Sequence, residues 1–137
     1  TIDRKTAEVF SLLNRHDDAI RIYKQLVKKY PSNQEYLREL GLNLIRKGSY
    51  KKAEIHLEKA LGLDERDPLI LYYTSILNYK MQNISRAVKL LVSAINLSPG
   101  LMETAKTEKL LEPLFAGGII NNILKREELE AKFKNFT

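Results

Sequence analysis

His16 and His56 are the first residues to test for chemistry, because imidazole binds metals and moves protons near neutral pH. His16 precedes Asp17 and Asp18, a trio that could hold a divalent ion weakly. The two acidic residues are explained more simply as a helix start, where they favour the positive end of the backbone dipole. His56 falls on the outward side of a helix, and both histidines read as surface residues. No Gly-rich phosphate loop, nucleophile elbow or HExxH motif is present. With no cysteine, disulfides and thiolate metal sites are excluded. Asn83-Ile84-Ser85 and Asn135-Phe136-Thr137 match the glycosylation acceptor pattern, which arises often by chance. The expectation is a chain without catalytic residues, metal or cofactor: not an enzyme.

The 137 residues, 44% apolar and 29% charged, suffice for one globular domain with a modest core. No apolar run approaches the ~20 residues of a membrane helix, so no membrane insertion is expected. The first residue is not Met, so a removed targeting segment or further domain stays open. A cytoplasmic location is favoured over a periplasmic or tethered one. The net charge of +6 is uneven: residues 1–33 and 68–101 each carry a surplus of three, and the other two stretches balance. A surplus that diffuse favours acidic partners only weakly.

The elements that must position any site follow a fixed step. Ala19, Ala53 and Ala87 lie 34 residues apart, as do Tyr23, Leu57 and Leu91, and Val27, Leu61 and Ile95. Pro31 and Pro99 are two steps apart, with Glu65 between them. Such a period marks units that cannot bury their apolar faces alone and must stack. Each unit reads as a helix pair: 3–13 with 19–29, 35–46 with 50–63, and 69–80 with 85–97. Ser32 or Asn33 starts the second unit and Asp67-Pro68 the third. Beyond Gly100 the pattern stops. The spacing predicts a helix from Leu101 to Leu111, a break at Pro113, a Gly117-Gly118 turn and a last helix from Ile119 to Phe133.

This pattern resembles the tetratricopeptide repeat, a 34-residue antiparallel helix pair. The middle unit carries its signature as Leu37, Leu40, Gly41, Leu44, Tyr50, Ala53, Leu57 and Ala60. The first unit matches at Ala7, Phe10, Ala19, Tyr23 and Pro31, with Asp3 and Thr6 replacing apolar residues. The third matches at Leu71, Ser75, Ala87, Leu91, Ala94 and Pro99, and departs at Thr74 and Asn78. The resemblance implies an all-α, right-handed superhelical solenoid. Its repeats would occupy residues 1–33, 34–67 and 68–101, and 102–137 would form a helical cap. Small residues at the helix crossings permit close approach of the backbones, so Ala53→Leu would cost on the order of 1–3 kcal/mol.

The resemblance also implies a function: a non-enzymatic adaptor or assembly factor that holds a protein or peptide segment in a concave groove. Groove positions of the first helices fall at Glu35, Arg38, Leu42 and Ile45, then at Leu69, Tyr72, Ile76 and Tyr79, and in the first unit at Thr1, Arg4, Glu8 and Ser11. The expected partner contacts are Arg38, Leu42, Ile45, Leu69, Tyr72, Ile76 and Tyr79, because their apolar content exceeds what a helix pair needs for its own packing. The competing reading is that the C-terminal helices fold back over this face and make it core. The chaperone-tail clamp of the same family is disfavoured, since its columns fall on Arg4, Glu8, Glu39, Leu69 and Tyr73. An alternative function is a structural scaffold that self-associates or packs on other domains. RNA binding ranks lower, because Lys24, Lys28, Lys29, Lys47, Lys51 and Lys52 lie on turns and second helices.

Overall fold

The computed structural model describes residues 3–134 and is all-α, with no strand among them. Three helix pairs come first: α1 (Arg4–Leu12) with α2 (His16–Lys29), α3 (Gln34–Lys47) with α4 (Tyr50–Leu63), and α5 (Pro68–Lys80) with α6 (Ile84–Leu97). Each helix packs on its neighbour in sequence, and α3 also packs on α5, which makes a solenoid. No described helix is long and apolar enough to cross a membrane.

Side-chain caps set the starts of these helices. Asp3 accepts from the Thr6 amide, Asn33 from Tyr36, and Asp67 from Leu69 and Ile70, with Pro68 in the first turn. Asn83 caps α6, accepting from the Arg86 amide.

The turns inside the pairs repeat more closely than their sequences do. Asn14, Gly48 and Gln82, each 34 residues from the next, all take the left-handed conformation (φ 60°, 91° and 66°). The residue after each donates its amide to a carbonyl five back: Arg15 to Phe10, Ser49 to Leu44, Asn83 to Asn78. This is the bonding that closes a helix through a left-handed residue. Only the middle turn uses glycine, the one residue that adopts this conformation without cost.

Ala7, Gly41 and Ser75 are fully buried, as are Ala19, Ala53 and Ala87. These are the close approaches expected of small residues, held in two columns of the repeat, one on each helix of the pair. At Gly41 the contact is tightest: an added Cβ would stand 2.5 Å from Leu57 Cγ. Gly41→Ala therefore overpacks a fully buried leucine, at a cost of about 1–3 kcal/mol.

After Gly100 the chain departs from the expected course. Helix α7 (Leu101–Thr107) ends at Glu108, whose backbone is extended and whose carboxylate accepts from the Leu110 amide. A 3-10 turn, Lys109–Leu111, follows. Pro113 does not break a helix; it sits in the first turn of α8 (Glu112–Phe115), where its missing N–H is no loss. Gly117 and Gly118 then turn the chain into α9 (Ile119–Lys134).

Candidate functional site

The columns expected to line the concave face divide into two unlike halves. Towards the C-terminal end, Ile45, Tyr72 and Ile76 are only 1–3% exposed, and Leu42 is buried as well. Leu69 and Tyr79 are half-buried against the same core cluster. That cluster includes Leu101, Ala105, Leu111, Leu114 and Ile120 from the C-terminal segment. The turn at 109–111 packs on α5, and Arg46 at the end of α3 pairs with Glu108 at 3.0 Å.

The apolar surplus read as partner anchorage thus covers the chain's own tail. The expectation that Leu42, Ile45, Ile76 and Tyr72 are partner contacts is corrected accordingly, since all four are core, the Tyr72 ring included. Its hydroxyl is buried with no hydrogen-bond partner among the described residues. Burial, with Glu108 nearby, pushes its ionisation up to about 12.

Towards the N-terminal end the face stays open. A cavity of about 260 Å³ is lined by Glu8, Ser11, Leu12, Tyr23, Glu35, Arg38 and Glu39. Helix α1 contributes Glu8 and Ser11, and α3 contributes Glu35, Arg38 and Glu39 one turn apart on its inner stripe. Arg4 bridges Glu35 at 3.1 Å and Glu8 at 3.8 Å. Arg38 Nε stands 3.4 Å from Glu39 Oε1, out of line for a hydrogen bond. The Tyr73 hydroxyl donates to Glu39 at 3.2 Å across one repeat step. Burial raises the Glu39 carboxyl above the usual range, opposed by Arg38 and by that hydrogen bond. Of the residues expected here, Arg38 lines the cavity and Thr1 lies outside the described residues; Glu39 entered the sequence reading only as a column of the disfavoured chaperone-tail clamp, and Tyr23 only as a packing column. Tyr23 could have been suspected from its hydroxyl, in a column otherwise held by leucine.

The histidines are not the surface residues expected. His16 is partly buried, and its Nδ1 donates to Asn43 Oδ1 at 3.0 Å, tying α2 to α3. His56 is half-buried, and its pKa falls through burial first and then through Lys24 and Lys59. Asp17 pairs with Lys47 at 2.6 Å, which lowers its pKa. Among the described residues no three His, Asp or Glu side chains stand together as metal ligands. Of the two glycosylation matches, Asn83 is occupied as a helix cap, and Asn135 lies outside the described residues.

Two further cavities lie off this face. One of about 550 Å³ opens beside Lys5, Lys29, Tyr30 and Tyr36. Another of about 660 Å³ lies between α6 and α9, walled by Ile84, Val88, Val92, Ile119 and Ile123.

Two family models, both described as "Tetratricopeptide repeat", match residues 5–33 and 35–67. A curated protein, BBSome complex member BBS4 of Bos taurus, is 42% identical over 57 residues. That stretch is 42% of this chain and 11% of the relative, so the match spans about a tenth of the longer protein.

Proposed function

The chain belongs to the tetratricopeptide-repeat family, and from that premise we propose that it is a non-enzymatic interaction module that holds a segment of another protein on the open half of its concave face. One observation carries this reading. The face is closed over α5 by the chain's own turn at 109–111, with Glu108 paired to Arg46, yet it stays open as a cavity over α1 and α3. Arg38 is the polar contact in the opening, with Glu8, Ser11 and Glu35 beside it, whereas Leu69 and Tyr79, also expected as contacts from the sequence, are half-buried on the covered half. The pair α5–α6 serves as a third repeat, and the described residues that follow it serve as a cap, with the 109–111 turn on α5 and α9 on α6. A relative named as a member of a complex supports an assembly role.

The test is site-specific photo-cross-linking in cells of the source organism. A photoreactive residue at Ser11 is expected to capture a defined partner, and one at the exposed Ile55 on α4 is not. Arg38→Glu should abolish the Ser11 capture. Equal capture from both positions, or capture unaffected by Arg38→Glu, overturns the reading.

A second reading, self-association, is favoured by one specific feature. Ile84, Ile119, Leu129 and Phe133 are all exposed on α6 and α9, and Ile84 and Ile119 wall the cavity between them. Light scattering at several concentrations separates the two, because a monomer throughout removes the second.

A further inference from the structure

We propose that the open cavity receives one basic side chain, arginine or lysine, from the bound segment, a step that rests on the reading of this face as the partner site. The charges around the cavity are one cation short. Among the described residues, Glu8, Glu35 and Glu39 line it, and two guanidinium groups answer them. Arg4 is divided between Glu8 and Glu35, and Arg38 meets Glu39 with poor alignment. This local deficit stands inside a chain whose net charge is +6, so it is a reversal rather than a reflection of composition.

The second observation is Tyr23. Its side chain is 99% removed from solvent, since the residue is 1% exposed. It nonetheless lines the cavity and has no hydrogen-bond partner among the described residues. Burial is the main cause that raises its hydroxyl ionisation, and Glu39, Glu8 and Glu35, which line the same cavity, add to it. A hydroxyl oxygen with no partner, in a cavity that three carboxylates also line, can accept from an N–H that comes from outside.

The alternatives fit less well. An anionic head would meet three carboxylates. An apolar one would strip water from them and return no hydrogen bond, which leaves buried charge uncompensated. A guanidinium or ammonium restores charge balance and makes ionised hydrogen bonds, the stronger kind. Leu12, 83% exposed at the rim, offers a surface for the methylene stem. The cavity volume is several times the ~30 Å³ share of one water molecule, which leaves room for the head group.

The test uses blocked tripeptides Ala–X–Ala, with X arginine, lysine, norleucine or glutamate, titrated into the ¹⁵N-labelled chain by NMR. The arginine and lysine peptides are expected to give saturable shifts at Ser11, Tyr23, Glu35 and Glu39, and the other two are not. The double variant Glu8→Gln/Glu35→Gln should weaken the arginine peptide at least five-fold. Tyr23→Phe should weaken it two- to three-fold and retains the buried ring, so it serves as the check if the double variant unfolds. Glu58→Gln, whose carboxylate pairs with Arg86 away from the cavity, should change nothing. Equal shifts from norleucine or glutamate, no saturable shift from either basic peptide, or undiminished binding by Tyr23→Phe overturns the proposal. If Ser11 cross-linking still captures a partner in that case, only the choice of a basic side chain falls; if Ser11 captures nothing, the groove reading falls with it.

Discussion

The two halves of the concave face are built from the same columns, and they differ in what those columns carry. Arg4 and Arg38 give way to Tyr72, Glu8 to Leu42 and Ile76, Ser11 to Ile45 and Tyr79, and Glu35 to Leu69. Where the columns are charged, the face is wet and holds a cavity. Where they are apolar, the chain's own turn at 109–111 packs against α5. Exposed apolar surface on one element must be met by something, and here the tail meets it. The lesson is that an apolar column in a stacked repeat reports that a cover exists, not whose chain supplies it.

The largest way to break this comparison is to remove a buried contact of the covered half. Leu111→Ala should cost about 2–5 kcal/mol in chemical denaturation, because Leu111 is fully buried in the core cluster. Ser11→Ala, on the open half, should stay within about 0.5 kcal/mol. Comparable losses at both positions would show that the halves are not distinct.

The tyrosine pair sharpens the contrast. Tyr72→Phe deletes a buried hydroxyl without a partner, so it should raise stability by about 1 kcal/mol. Tyr23→Phe removes a hydroxyl that reaches an open cavity and should leave stability within about 0.5 kcal/mol. A loss at Tyr72→Phe would mean that the covered half satisfies its polar groups after all.

A smaller gain is expected away from the face. Gln82→Gly relieves a left-handed residue (φ 66°) and should stabilise by roughly 0.5–1 kcal/mol, net of the added freedom of the unfolded chain. No gain would indicate that the Gln82 side chain offsets its own strain.

The smallest effect concerns pH. The folded pKa of Glu39 lies above its unfolded value. Its contribution is therefore favourable at low pH and is lost as pH rises from the ordinary glutamate range through the raised one. Glu39→Gln should flatten that part of the stability profile, read by denaturation at several pH values. An unchanged profile would place the charge of Glu39 in a well-solvated setting.

Much of the architecture was legible because it rests on period and on caps. The 34-residue step, the proline and glycine punctuation and the Asn33 and Asp67 caps placed six helices to within about three residues at each end. The C-terminal segment was harder. Helix α7 stops at Thr107 because Glu108 folds its carboxylate back onto the next turn, and a glutamate in a polar stretch gives no such warning. Pro113 was misread because proline ends one helix and starts another with equal ease. The left-handed turns at Asn14 and Gln82 were silent, since only Gly48 advertises that conformation in its residue type. At the site, Arg38 was legible from its column. The shortage of one cation was not, because it depends on how Arg4 and Arg38 are shared in space rather than on their numbers along the chain.

The matching turns at Gly48 and Gln82 carry an engineering consequence. Both ends of the segment 49–82 leave a backbone of the same shape, so a tandem duplication of it introduces no new junction geometry. The array could be lengthened one unit at a time while its charged mouth and its sealed terminus stay as they are, and the distance between them becomes an adjustable ruler.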